Sequence, residues 1–185
     1  AYADAWRDLA LRSLEPNPFL EPEFAISAIL HSPAAQRPDV AFVWQGAGFN
    51  PRGRLIAALA LEGQGSRLLP GAGRSWRHRH GALGTPLIDS FAGARAVDAL
   101  LGWLHDRRPR QSALILDSIV RDGPVFDLLT ARCDANGLAW TQIGEHDRAA
   151  LIPGQTAAEI FARARSTKHR RDLERLRRRL SERGE

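Results

Sequence analysis

Few side chains in this sequence have the types and spacing that chemistry requires, and most of them sit in its middle third. Trp76-Arg77-His78-Arg79-His80 sets two imidazoles two residues apart. They share a face only if the segment is a strand. A metal centre needs three or four ligands, and neither a carboxylate nor a thiolate lies beside the pair, so no metal is expected. The run reads either as a basic loop beside a cleft, with His80 a candidate for the substrate side, or as a solvated surface loop. In Gly84-Thr85-Pro86 the Thr85 hydroxyl could donate a hydrogen bond to a substrate carbonyl, while Gly84 and Pro86 equally suit a plain turn. Asp89 is either a general base or a cap for the helix that follows it. The single cysteine, Cys133, excludes an intrachain disulfide and a multi-cysteine metal site. It lies in the helical-looking run 126–133 and reads as a small buried apolar residue.

A second group is defined by charge. Residues 163–185 hold 10 of the 26 Lys/Arg and 4 of the 21 Asp/Glu, so the tail is basic and residues 1–162 are close to neutral despite the net charge of +5. Leu173, Leu176 and Leu180 recur at three- and four-residue spacing and form one apolar stripe. Asp172 and Glu174 precede Arg175, Arg177 and Arg178 at ion-pair spacing. The stripe must pack on something. The cationic face is either solvated and internally paired or a contact for an anion.

The elements that position these residues follow from periodicity. Trp6, Leu9, Ala10 and Leu14 predict an amphipathic helix over 3–14, stopped by Pro16-Asn17-Pro18. Glu21-Pro22-Glu23 opens a second helix, running to His31, with Pro in its first turn and carboxylates at its positive end. Residues 39–44 and 55–61 read as strands joined by a turn over 46–53, too short for a crossover, so they form an antiparallel hairpin. Residues 63–84 read as a loop with one short strand, and 83–89 as an extended segment. Helices are expected over 92–106 and 125–135, the latter stopped by Asn136-Gly137. Strands are expected over 113–116, 138–143 and 149–152, and a long helix or a broken pair over 156–180. The pattern is α/β, an antiparallel meander followed by βαβ-like units.

At 44% hydrophobic and 25% charged the chain can bury an ordinary core. No apolar run reaches the length of a membrane span, and the first residues lack the basic and apolar regions of a signal peptide. A sequence without methionine, position 1 included, reads as a fragment or a trimmed chain. One unpaired cysteine suits a reducing, cytoplasmic setting.

Three motifs, in order, resemble the BcsL/CelD-type acetyltransferase family: Asn17-Pro18-Phe19-Leu20-Glu21-Pro22-Glu23-Phe24, Gly84-Thr85-Pro86-Leu87-Ile88-Asp89 and Ser166-Thr167-Lys168-His169-Arg170-Arg171-Asp172-Leu173. That bacterial family is associated with cellulose and other exopolysaccharide biosynthesis and is distantly similar to FemAB-type aminoacyltransferases. The resemblance implies a GNAT-like acyl-CoA N-acyltransferase fold, with a mixed, largely antiparallel central sheet flanked by helices and without its first strand. It implies a GNAT-like N-terminal domain over 1–155 and a basic helical segment, 156–185, leading to a second GNAT-like domain that this sequence does not contain. The implied function is transfer of an acyl group from acetyl-CoA or another acyl-CoA to an amine or hydroxyl acceptor, a small molecule or a glycan, with this half alone inactive. The acyl-CoA signature of such enzymes, Arg/Gln-x-x-Gly-x-Gly/Ala, grips a pyrophosphate at a helix N-terminus. Ser90-Phe91-Ala92-Gly93-Ala94-Arg95 fails its first and last positions, Leu68-Leu69-Pro70-Gly71-Ala72-Gly73 lacks the leading residue and falls too early, and Gln45-Gly46-Ala47-Gly48-Phe49-Asn50 misses the last position. The cofactor is therefore expected mainly on the second domain. Lys168, Arg170, Arg171 and Arg175 are the candidates for contact with an anionic donor. Two alternatives are an aminoacyl-tRNA-dependent transferase of the FemAB kind, in which nucleic acid is a partner, and a non-catalytic polyanion-binding or scaffold module.

Overall fold

The computed structural model describes residues 2–46, 53–62, 72–107, 113–148, 154–164, 166–182 and 184. The turn expected over 46–53, the strand expected over 149–152 and two of the three glycine runs fall mostly or wholly outside them. The chain divides into two compact units, Ala1–Trp140 and Thr141–Glu185. No helix among the described residues is long and apolar enough to cross a membrane.

In the first unit helices cover both faces of a small mixed sheet. The order is α1 (Tyr2–Leu11), α2 (Pro22–His31), β1 (Pro38–Gln45), β2 (Arg54–Glu62), β3 (Ala72–Arg74), β4 (Leu87–Ile88), α3 (Gly93–Arg107), β5 (Ala113–Ile115) and α4 (Pro124–Ala135). The fold is therefore mixed α/β. Strand β2 is its spine, buried without a break from Leu55 to Leu61 as a strand covered on both faces must be. It pairs antiparallel with β1, and the register slips between Val43/Trp44, where Ile56 is left without a partner. The bulge puts Ile56 and Ala57 on one face. With Leu59, Leu61 and Ile88 they pack on Ala96, Val97 and Leu100 of α3 and Val125 of α4. Leu55, Ala58, Ala60 and Leu87 pack on Trp6 and Leu9 of α1 and Ala25 of α2 on the other face.

The far edge of β2 is shared. Strand β4 pairs there at Ala57↔Ile88 and Ala58↔Leu87. Further along, Leu61 bridges Ser75, and the Trp76 amide donates to the Ala60 carbonyl at 2.8 Å. Residues 72–76 and 87–88 thus lie on one line, and residues 77–86 leave it and return. Strand β5 runs parallel to β3, with Arg74 opposite Ile115, while among the described residues no pairing joins it to β4. The two halves of this interrupted strand therefore have different neighbours.

The segment beside β4 corrects the sequence reading. Helix α1 ends at Leu11 rather than continuing to 14. Ser13 bridges Asp89, the Leu14 amide donates to the Ile88 carbonyl at 2.7 Å and the Ser90 amide to the Arg12 carbonyl at 3.2 Å. Leu14 belongs to the apolar pattern in either conformation, so spacing could not separate them. Pro16 and Pro18 disfavour helix at the residues before them, and β4 supplies the alternative hydrogen bonds.

Residues 138–143 form no strand, a second correction. The Leu138 amide closes the end of α4 on the Cys133 carbonyl at 2.9 Å. Trp140 then lays its ring edge-on against Phe126, 5.8 Å between centroids, and donates its indole N–H to Asp134 at 3.2 Å. Leu138 and Trp140 thus turn back on their own helix rather than onto a strand.

In the second unit the 156–180 stretch is a broken pair, α5 (Ala157–Ala164) and α6 (Thr167–Ser181). Thr156 and Glu159 form a reciprocal capping box, amide to Oε2 at 2.8 Å and amide to Oγ1 at 3.3 Å. Ser166, extended at ψ 156°, starts α6 by accepting the His169 amide at 3.4 Å.

Candidate functional site

Strand β3 ends beside Ala60 and β4 beside Ile56, the loop after β5 approaches Gly84, and the side chains able to do chemistry lie around these ends. Three groups of side chains gather there. The first is Asp89, fully buried at the end of β4. The Ile56 bulge carbonyl accepts its amide at 2.9 Å and so fixes its position. Its Oδ1 accepts the Phe91 amide at 2.8 Å and the Ala92 amide at 2.9 Å, the donors of the turn that leads into α3. Its Oδ2 is held by Arg12 and by Arg54 at 2.9 Å. Arg12 reaches on to the Leu55 carbonyl at 2.6 Å and to Asp8 at 2.8 Å. Of the two roles open to Asp89, the geometry is that of a cap. A carboxylate holding two amides and two guanidinium groups has no lone pair to take a proton from a substrate.

A shallow depression surrounds this helix start, lined by Gln45, Arg54, Phe91 and Arg95. Phe91 stands 88% exposed there.

The second group ties residues 84–86 to the loop after β5. Gly84, Thr85 and Pro86 are all buried. A Cβ on Gly84 would stand 2.2 Å from the Asp117 carbonyl oxygen, so this position admits only glycine without moving the backbone. The Asn17 amide donates to the Thr85 carbonyl at 2.6 Å, and its Oδ1 accepts the Phe19 amide at 3.1 Å. The first and second resemblance motifs are thereby in contact. The Thr85 hydroxyl is buried with no hydrogen-bond partner among the described residues. Asp117 donates its amide to Ser75 Oγ at 2.9 Å. Its carboxylate accepts from Arg74 at 2.8 Å and lies 3.7 Å from Arg77. Burial raises the Asp117 pKa, but hydrogen bonds from Arg74 and Ser118 and the charges of both arginines outweigh it, and the pKa lies below the ordinary carboxylate value. Ser118, at φ 55°, is in left-handed backbone, which non-glycine residues seldom adopt.

The third group is the histidine run. The His80 amide donates to His78 Nδ1 at 3.2 Å, which makes that nitrogen an acceptor and puts any proton of the neutral ring on Nε2. His78 lies edge-on to Phe24, 5.4 Å between centroids. Burial, with the charges of His80 and Arg79, pushes its pKa down. His78 lines a narrow slot with Asn17, Phe19, Trp76, Arg77 and Gly84. His80 itself is exposed. No group of three or more His, Cys, Asp or Glu able to hold a metal forms among the described residues.

The structure thus brings Gly84 and the histidine run to one slot and leaves Asp89 on the helix start. In the separate second unit Lys168, Arg171 and Arg175 are exposed and Arg170 half-buried on α6, with Arg175 3.5 Å from Asp172. Cys133 is half-buried, and burial pushes its thiol pKa up. Sequence reasoning missed Arg12, Arg54, Arg74 and Asp117. Spacing carries no signal for ion pairs between residues as far apart as Arg54 and Asp89.

Comparison with protein-family models, with curated proteins and with solved structures finds no match.

Proposed function

We propose that this chain is the non-catalytic, acceptor-shaping half of a GNAT-type acyltransferase, with the acyl donor bound by a second domain. The family assignment rests on the resemblance of the three motifs. In its favour are the element order, two helices, a hairpin, an interrupted strand, a helix, a parallel strand and a helix, and the parting of β4 from β5 where α3 begins.

The observation that carries the non-catalytic part is the occupancy of that parting. An acyl-CoA pyrophosphate needs the free amides of a helix start, and Asp89 takes the Phe91 and Ala92 amides in the turn that leads into α3. An extended donor arm lying along β4 would have to displace residues 12–14, which bond to Ile88 and Ser90. Among the described residues, the slot beside Gly84 and His78 has room for about one water, and the wider depression lined by Gln45, Arg54, Phe91 and Arg95 is the opening on which part of an acceptor could rest. On this reading the acceptor is a glycan or small molecule, and α6 leads to the donor-binding domain.

Isothermal titration with acetyl-CoA tests this. The expected result is no heat of binding with this chain and saturable binding once the second domain is joined to it. Acyl transfer by this chain alone would overturn the reading.

A further inference from the structure

Two features that usually sit on opposite faces of a helix adjoin on α6. On a 3.6-residue period Leu173, Leu176 and Leu180 form one stripe, and Leu176 is 52% and Leu180 73% exposed. The same period sets Arg170 and Arg177 along one border of the stripe and Arg179, next to Asp172, along the other, with Lys168, Arg171, Arg175 and Arg178 behind and His169 within the stripe. Seven Lys/Arg thus face two acidic residues on this helix, and one of the two, Asp172, lies 3.5 Å from Arg175. On α5, Phe161 is a further apolar side chain left 50% exposed.

We propose that α6 lies on an anionic lipid surface, its leucines at the acyl boundary and its bordering cations among the headgroups. The charge pattern selects this occupant. Cations at both edges of an apolar stripe can bury their stems and keep their charges in the headgroup layer. A nucleic acid or acidic glycan would neutralise the arginines and leave the leucines in water. A second copy of the helix would cover the leucines and bring seven cations against seven. A strongly amphipathic, Arg-rich helix of low mean hydropathy is the composition that rests in the interface plane rather than crossing it. Three leucines alone hold weakly, so the contact is reversible and depends on both terms. This inference stands apart from the acyltransferase reading.

The test is cosedimentation of the whole chain with vesicles of phosphatidylcholine containing about 30% phosphatidylserine, and with phosphatidylcholine alone. Binding to the anionic vesicles is expected to be at least about tenfold tighter and to fall steeply as salt shortens the reach of the charges. Leu176→Ser with Leu180→Ser should weaken it about tenfold, and Arg177→Gln with Arg179→Gln by a similar factor. An unchanged thermal midpoint in both pairs would confirm that the fold persists. Absence of binding to anionic vesicles at low salt overturns the proposal. So does full binding by the leucine variant, which would mean bare charge attraction. Leucine-dependent self-association, or capture of a Glu-rich heptad peptide in place of vesicles, would assign the face to a protein partner and overturn it too.

Discussion

The start of α3 and the face of α6 use the same side chain to opposite ends. At α3 two arginines converge on one buried carboxylate, Asp89, which also caps the helix. On α6 seven cations stand against two acids, and two leucines beside them are more than half exposed. Arginine at the first place is consumed by the fold; at the second it is offered outward. Arginine content therefore says little about function until each guanidinium is matched with its partner, and 10 of the 26 basic residues sit in the tail where sequence alone draws the eye.

The comparison breaks most readily at Asp89. Asp89→Ala removes a fully buried carboxylate and strands Arg12, and should cost about 3–5 kcal/mol of unfolding free energy in urea titration. A loss under about 1 kcal/mol would mean that the ion-pair cluster is not structural. The two arginines should separate next. Arg12, whose side chain is 17% exposed, bonds to Asp89, Asp8 and the Leu55 carbonyl, whereas Arg54 is 46% exposed. Arg12→Ala should therefore cost about 2–3 kcal/mol and Arg54→Ala under about 1 kcal/mol.

Asp117 sharpens the contrast through pH. Its pKa is depressed in the fold by Arg74 and Ser118, so its stabilisation is complete above the ordinary carboxylate value of about 3.9 and fades as pH falls through the lower folded value. Asp117→Asn should flatten the acid limb of stability measured between about pH 5 and 2, an unchanged limb contradicting the pairing. The smallest effect belongs to α6. Arg177→Glu with Arg179→Glu should move stability by no more than about 0.5 kcal/mol, because neither position is buried.

Much of the fold was legible because its signals are local. Pro22 and Glu23 open α2, Asn136-Gly137 closes α4, and β1 and β2 carry strand residues and pair antiparallel. Regions decided by competition between long-range partners were not. Residues 12–14 fit a helical pattern and yet pair with β4. Residues 138–143 have strand composition and form no strand, and Leu138 and Trp140 turn back on α4 instead. The interruption between Trp76 and Leu87 also leaves no periodic trace. At the site the sequence offered Asp89 two roles, cap or base, and could not choose without the distant Arg12, Arg54 and Ile56. Gly84 was visible as a turn-former, but the reason for it, the Asp117 carbonyl at its α-carbon, lies 33 positions downstream.

On the proposed reading, residues of this chain fill the parting of β4 from β5. This is tested most directly by following the backbone amide resonances of residues 87–95 while acetyl-CoA is added to about 1 mM, a level at which even weak complexes register. No saturable shift is expected at these amides. Saturable shifts centred on Phe91, Ala92 and Gly93, with loss of the Asp89 cap, would contradict this and place an acyl-donor site in this chain.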